Sequence, residues 1–233
     1  MKDRRNFLRS GVQLVPAILA SGYLSAIAAE KAEVEEEVSP AEDLMREHGA
    51  LNRILLIYDE IGHRLREGHV VEPKTIITSA ELIRTFIENY HEKLEEQFLF
   101  PRFEKAKQLT DLVAVLRQQH QAGQQLTALI LNDSQKISSS KADSNQQIAH
   151  HLELFTRMYR PHEAREDTIL FPAFRQLVSE KAYKELGEQF EDKEHELFGK
   201  EGFENTVKII AGLERELGIY DLAQFTPKLT ESL

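Results

Sequence analysis

Histidine and glutamate recur at a fixed spacing in two segments of the chain. The first segment begins at His91 and the second at His162, 71 residues later, and 7 of the 13 residues in each are identical. Each segment places a glutamate four residues after its histidine, giving His91-x-x-x-Glu95 and His162-x-x-x-Glu166. Residues four apart lie on the same face of a helix, roughly 6 Å from each other. The two side chains of each pair can therefore reach a common point.

A further histidine precedes each segment at nearly the same distance. His48 lies 43 residues before His91, and His120 lies 42 residues before His162. A duplicated helix pair is the simplest interpretation of this pattern. Imidazole suits iron, and carboxylates can bridge two metal ions, so the pattern predicts a centre for a pair of metals. The predicted ligands are His48, His91, Glu95, His120, His162 and Glu166.

Two alternatives to a metal centre follow from the same residues. A single His-x-x-x-Glu on a helix is usually a solvated ion pair, because glutamate is mostly exposed. Both motifs here fall on apolar stripes, however, with Ile87 and Phe98 around the first and Phe155 and Ile169 around the second. Buried His–Glu ion pairs would avoid the cost of an unpaired carboxylate. They would not require matched histidines on two other helices.

Apolar residues recur at helical spacing through most of the chain, and no useful stretch has the spacing of a strand. We therefore predict an all-α fold, an up-down four-helix bundle with two extra C-terminal helices. Pro73 is suited to the first turn of a helix, while Gly68 and Gly218 are suited to ending one. The predicted helices span about 43–66, 73–107, 111–132 and 144–178, followed by shorter ones at about 180–198 and 203–217.

Composition and charge exclude several kinds of site. The chain has 233 residues and no cysteine, which excludes disulfides, cysteine-ligated zinc and iron–sulfur clusters. Its net charge is −10, and residues 1–29 carry four basic side chains and one acidic one, so the remainder has a net charge of −13. A surface that acidic repels phosphate backbones, so we expect no nucleic acid as a partner.

The first 28 residues have the features of an export signal. Arg4 and Arg5 precede Asn6-Phe7-Leu8, as in a twin-arginine signal, and Ala26-Ile27-Ala28 offers a cleavage site between small residues. A membrane anchor is the alternative, but the apolar run is shorter than the roughly 20 residues that a span needs. We predict an exported, periplasmic protein with no stable membrane insertion after the leader is cleaved.

These features divide the chain into five predicted parts. An acidic linker follows the leader, and its charge favours disorder. The parts are the signal peptide (1–28), the acidic linker (29–42), the four-helix bundle (43–178), the additional helices (179–218) and a tail (219–233).

The order of the six candidate ligands resembles that of the hemerythrin-like (HHE) cation-binding family. The resemblance covers about residues 42–174. It implies a bundle of the hemerythrin type and two non-haem iron ions, bridged by the carboxylates of Glu95 and Glu166, with the four histidines as terminal ligands. It implies no separate catalytic residue. The implied function is binding of dioxygen or nitric oxide, as a carrier, sensor or scavenger. The alternatives are a di-iron enzyme acting on peroxide or nitric oxide, and an iron-storage or structural metal-binding module.

One position departs from the pattern of the oxygen-carrying hemerythrins. Those proteins have a fifth histidine one helical turn after the third-helix ligand, where this chain has Gln124. One iron would then keep an open position, or another residue would bind it. The candidates for that residue are Glu92, Glu163, Tyr58 and His195. More open coordination would permit peroxide or nitric oxide chemistry beyond oxygen storage.

Overall fold

The computed structural model describes residues 38–135 and 142–227, so the proposed leader and residues 29–37 of the linker lie outside the described residues. Within the described ranges the regular secondary structure is helical and no strand occurs. Two of the long helices are composite, because π-helical turns interrupt them. The elements are α1 (Pro40–Arg66), α2 (73–106), α3 (Thr110–Ser134), α4 (142–177), α5 (Glu180–Phe198), α6 (Gly202–Glu216) and a 3₁₀ turn, Leu222–Phe225.

Helix α1 begins three residues before the predicted start at Asp43. Ser39 caps the helix, since its side-chain oxygen accepts a hydrogen bond from the backbone N–H of Glu42. Pro40 occupies the first turn, where its missing N–H costs nothing. Residues 40–42, assigned to the linker from the sequence, are therefore helical. The expected start at Pro73 and the expected stops at Gly68 and Gly218 are confirmed, and both glycines have positive φ.

Wide turns occur at matching places in the two repeated segments. Helix α2 is π-helical at Glu95–Leu99, and α4 is π-helical at Glu166–Leu170. A longer π-helical stretch, Ile83–His91, precedes the first motif in α2. Single π turns inside α-helices are frequent at functional sites.

The π turn in α4 explains why one residue predicted to face the core is exposed. Ile169 lies three residues after Glu166 and would share its face in a regular α-helix. The side chain of Ile169 is instead 43% exposed, while that of Leu170 is fully buried. Because the π turn spreads more residues over one turn, position i+4 and not i+3 faces the core. The same shift leaves Phe98 only partly buried and buries Leu99.

The four long helices pack in a ring around a common core. Helix α1 contacts α2 and α4, and α3 contacts the same two helices from the other side. Helices α5 and α6 pack against α1 and against each other. The guanidinium of Arg53 on α1 donates a 2.8 Å hydrogen bond to Glu214 on α6, which fixes the last helix to the first. Large aromatic side chains such as Phe86, Phe155 and Phe174 fill the core.

Within the described ranges, no helix combines the length and the apolar character needed to cross a bilayer.

Candidate metal centre

The six residues predicted from the repeat meet at the centre of the ring of helices. Each of the four long helices contributes a histidine, and α2 and α4 each add a glutamate one turn later. All six side chains belong to residues that are at most 4% exposed. Side chains that lie far apart in sequence are thus brought together in a buried site. The residues are His48, His91, Glu95, His120, His162 and Glu166.

The histidines form two pairs, here named site A (His48 and His91) and site B (His120 and His162). In site A the two Nε2 atoms lie 3.1 Å apart. The ring centroids lie 4.8 Å apart in site A and 5.1 Å apart in site B. Each pair combines one histidine from a motif with one from the preceding helix.

Each glutamate lies between the two sites. Glu95 approaches Nε2 of His91 in site A at 3.9 Å and Nε2 of His120 in site B at 3.4 Å. Glu166 approaches Nε2 of His162 in site B at 3.1 Å and Nε2 of His48 in site A at 3.4 Å. Both carboxylates therefore have the position of a bridge between two metal ions.

The other ring nitrogen of every histidine is held by a neighbouring side chain. Nδ1 of His48 and of His120 contact the residue after each of these glutamates, Asp167 at 2.7 Å and Glu96 at 3.1 Å. Nδ1 of His91 and of His162 contact the residue before each upstream histidine, Glu47 at 2.8 Å and Gln119 at 2.9 Å. Metal-binding histidines usually make such a bond, which fixes the tautomer and directs the free nitrogen to the metal.

Several donor atoms at the centre lack hydrogen-bond partners and are suited to binding metal ions. The four carboxylate oxygens of Glu95 and Glu166, and Nε2 of His120, make no well-aligned hydrogen bond with any described residue. An unsatisfied buried polar atom costs about 1–3 kcal/mol, and more if charged. Five such atoms at one point are explained if cations bind there.

Electrostatics in the protein alone also favour a cation at this point. Burial, reinforced by the charge of Glu166, raises the pKa of Glu95, whereas His162 and His48 outweigh burial and hold the pKa of Glu166 well below its ordinary value. Burial lowers the pKa of His48, but the neighbouring carboxylates of Asp167 and Glu166 outweigh it and raise the pKa well above its ordinary value. Protons thus occupy positions that metal ions would take, so metal binding must release protons.

Comparison with known proteins agrees with this geometry. The sequence profile of the hemerythrin HHE cation binding domain matches residues 39–134. The chain therefore contains a hemerythrin HHE cation-binding domain. Domains of this family typically bind iron, and the match indicates a metal-binding protein. The match contains His48, His91, Glu95 and His120, whereas His162 and Glu166 of this hemerythrin-like chain lie beyond it.

Two mycobacterial relatives extend the similarity over most of the chain. An uncharacterized protein of Mycobacterium bovis is 46% identical over 195 residues, which cover 84% of this chain and 76% of the relative. An uncharacterized protein of Mycobacterium tuberculosis matches with the same identity and coverage. No solved structure matches the chain.

Two further glutamates flank the hemerythrin-like centre, and both were candidate ligands. Glu92 and Glu163 directly follow the motif histidines and are 1% and 2% exposed. Gln124, at the position of the missing fifth histidine, donates a hydrogen bond of 3.2 Å to Glu92. Asn52, at the matching position of α1, donates to Glu163. Burial raises the pKa of Glu163 to about 8. A carboxamide–carboxylate pair thus lies on each side of the centre. The oxygen carriers have one extra histidine, at the position of Gln124.

The other two candidates are Tyr58 and His195. Tyr58 is buried and contacts Phe155 edge-on, and burial raises its pKa. His195 lies on α5 and accepts the backbone N–H of Gly199 through its carbonyl oxygen. Among the described histidine, cysteine and acidic side chains, the groups close enough to share a metal ion include Glu92 but not His195.

A tyrosine that was not among the candidate ligands lies beside site B. The hydroxyl of Tyr159 donates a 2.6 Å hydrogen bond to Glu92, and its ring lies 5.3 Å from that of His162. Gly123 makes this position possible, because a Cβ there would lie 2.1 Å from the Tyr159 hydroxyl. The role of this glycine as space for a tyrosine required the structure.

Aromatic rings cover one histidine of each site. Phe171 stacks on His48 with centroids 5.5 Å apart, and Phe100 stacks on His120 at the same distance. Neither phenylalanine was among the residues predicted from the sequence to form the site. Their matching offsets in the two repeats were the signal that could have revealed these contacts.

Proposed function

We propose that this hemerythrin-like chain is a non-haem di-iron protein that binds dioxygen or nitric oxide outside the cytoplasm. The observation that carries the proposal is the position of Glu95 and Glu166, each between Nε2 atoms of both histidine pairs. Imidazole and carboxylate donors together suit iron. A reduced iron pair supplies the electrons that reversible binding of dioxygen requires.

The protein residues would orient the donors and exclude water. Asp167, Glu47, Glu96 and Gln119 hold the four rings by their Nδ1 atoms, as described above. The rings of Phe100 and Phe171 cover the histidines, so the ligand would meet a largely apolar wall. Exclusion of water protects a reduced centre from side reactions.

The proposed architecture is the up-down bundle of the hemerythrin type, with α1 to α4 as its four helices. Helices α5 and α6 would be additions to the bundle. Their packing against α1, through contacts such as the Arg53–Glu214 ion pair, supports this division.

We further propose that the chain is exported to the periplasm by the twin-arginine pathway. The support is the Arg4-Arg5 sequence and the small residues at 26–28. A folded chain could carry iron through that pathway before it meets copper or zinc, which bind the same donors more tightly. Replacement of the leader by one for unfolded export is expected to give protein with the wrong metal or none. A normal iron content in that variant would contradict the idea.

The test of the proposal is metal analysis of protein purified from its native export route. Two irons per chain, with the absorption of a coupled ferric pair, are expected. The double variant Glu95→Ala/Glu166→Ala should retain neither ion, whereas Glu42→Ala, an exposed change on α1, should retain both. A chain that binds no metal, or only one ion, would contradict the di-iron proposal. Tightly held iron without any gas binding would favour a storage or structural module.

Polar groups beside site B favour a second candidate, an enzyme that acts on peroxide or nitric oxide. Glu92, Gln124 and the hydroxyl of Tyr159 form one hydrogen-bonded group there. Disproportionation of two hydrogen peroxide molecules yields two waters and one dioxygen and needs no other reactant. Turnover with peroxide that is lost in His91→Ala and reduced in Tyr159→Phe would support the enzyme. Reversible oxygen binding without turnover would support the carrier.

A further inference from the structure

The four Nδ1 contacts correspond in pairs under the repeat, and one pair differs in charge. His48 and His120 both contact a carboxylate, namely Asp167 and Glu96. His91 contacts the carboxylate of Glu47, whereas the equivalent His162 contacts the carboxamide of Gln119. Site A is therefore supported by two carboxylates and site B by one.

This difference should make the two sites unequal as metal sites. A carboxylate that accepts the Nδ1–H of a ligating histidine raises the basicity of the ring, and loss of such a partner typically weakens metal binding by about 10–100-fold. A neutral amide oxygen gives less of this support. An ion at site B should therefore be held less tightly than one at site A.

Solvent access at Glu47 and Gln119 differs in the same direction. Glu47 is fully buried, whereas Gln119 is half-buried and lies in the wall of a surface cleft of about 440 Å³. His162 itself forms part of the same wall, beside Val115 and Leu116 of α3 and Pro161 of α4. The cleft thus leads from the surface to a candidate ligand of site B.

We infer that site B is the half of the centre that exchanges its metal first, and that small neutral ligands reach the centre through the cleft at His162. The inference rests on the proposed two-iron function. It adds which site is labile and by which route a ligand arrives. Two observations carry it: the neutral Gln119 stands where site A has the carboxylate of Glu47, and the cleft reaches His162.

The first experiment measures release of ferrous iron from the fully loaded protein to a chelator, without oxygen. The wild type is expected to lose its two ions in two phases. Gln119→Glu should slow the fast phase by about tenfold and leave the slow phase unchanged, since it supplies the carboxylate that site B lacks. Glu47→Gln should speed the slow phase by a similar factor. Because Gln119 is half-buried, its variant keeps the test valid even if Glu47→Gln folds poorly.

The second experiment measures nitric oxide association with the ferrous protein by stopped flow. Val115→Trp should narrow the cleft and slow association several-fold, without changing the rates of iron release. Leu129→Trp is the matched control, because Leu129 lies on the same helix with 43% exposure, against 48% for Val115, and lines no part of the cleft. Equal slowing by both tryptophans, or by neither, would overturn the proposed route.

The outcomes separate this inference from the function on which it rests. Two bound ions that leave in one phase, or a fast phase that responds to Glu47→Gln and not to Gln119→Glu, would overturn the inference and leave the di-iron proposal intact. A wild-type chain that takes up fewer than two ions would overturn both.

Discussion

The first helix pair, α1 and α2, and the second, α3 and α4, make the same contacts at the centre and different ones beside it. Both present two Nε2 atoms, one glutamate between the sites and one phenylalanine over a histidine. Away from these atoms, Glu47 corresponds to Gln119, Asn52 to Gln124 and Glu88 to Tyr159. The shared residues are those that a pair of cations needs, whereas the residues that differ can make the two ions unequal.

The largest expected effect is the loss of metal binding when Glu166, which lies between the two sites, is replaced. Because Glu166 contacts histidines of both sites, Glu166→Ala should abolish binding at site B and weaken it at site A. His48→Ala should remove only the ion of site A. Iron content per chain, measured after desalting, checks both. Equal loss in the two variants would show that Glu166 belongs to one site alone.

Removal of both ions should destabilise the whole fold. Where free iron exceeds the dissociation constant about 100-fold, each ion contributes about 2.7 kcal/mol to the free energy of unfolding. Two ions should therefore raise the melting temperature by about 10–20 °C, by the usual scaling for a chain of this size. Calorimetry of the loaded and chelator-treated protein measures the shift. Equal melting temperatures would argue against a buried metal centre.

Acid should release the iron at a pH higher than the ordinary histidine pKa suggests. Burial lowers the pKa of His120, but Glu95 and Glu96 outweigh it and raise the pKa well above its ordinary value. The raised pKa means that protons compete with metal already near neutral pH, so affinity falls as the pH falls. Iron retention measured across a pH series tests this. Retention that stays constant down to pH about 5 would contradict it.

A smaller effect is expected at Glu88, the residue of the first helix pair that corresponds to Tyr159. It concerns the pH dependence of stability. Burial raises the pKa of Glu88 from 4.5 to about 7. The unfolded chain then loses this proton first as the pH rises, so stability falls between pH 4.5 and 7 and stays low above that. The loss amounts to about 2–3 kcal/mol. In Glu88→Gln this part of the pH dependence should vanish, as urea unfolding of the iron-free protein at several pH values can measure. Parallel curves for the variant and the wild type would refute it.

The smallest effect is expected at Gly123, which leaves space for Tyr159. The equivalent residue of the first helix pair is Leu51. Gly123→Ala should destabilise the protein by about 1–3 kcal/mol, the usual cost of overpacking. Adding Tyr159→Phe should recover part of this loss, because it removes the atom 2.1 Å from the new Cβ. Gly212→Ala on α6 is the control, since nothing lies within 4 Å of its Cβ. Its effect should stay within about 0.5 kcal/mol or be stabilising.

The sequence predicted the helices and the meeting of the six candidate ligands because both depend on spacing. His48 and Glu166 lie 118 residues apart, yet the repeat alone indicated that they meet. The Nδ1 partners were not predicted, although Glu47 and Gln119 occupy equivalent positions of the repeat. A hydrogen bond to the far side of a ring depends on the rotation of neighbouring helices, which spacing along one helix does not specify.

The failure at Ile169 has a related cause. Hydrophobic periodicity assumes a constant helical turn, and the π turns at Glu95–Leu99 and Glu166–Leu170 change that turn locally. Nothing in the composition of either pentapeptide distinguishes it from an α-helical segment. The π turn lies at the same offset in both repeats. If it were known in one repeat, it could be predicted in the other. The sequence alone indicates it in neither.

The wide turns also determine which ring can cover the centre. Phe100 lies five residues after Glu95, and Phe171 lies five residues after Glu166. At about 100° per residue, a regular helix would direct each phenylalanine some 140° away from its glutamate. One residue more in the turn rotates each phenylalanine back toward the interior, where it stacks on the histidine of a facing helix. Each motif thus sets the direction of its glutamate and of its phenylalanine separately. If the same residues formed a regular α-helix, the glutamates would keep their places and the aromatic cover would turn outward.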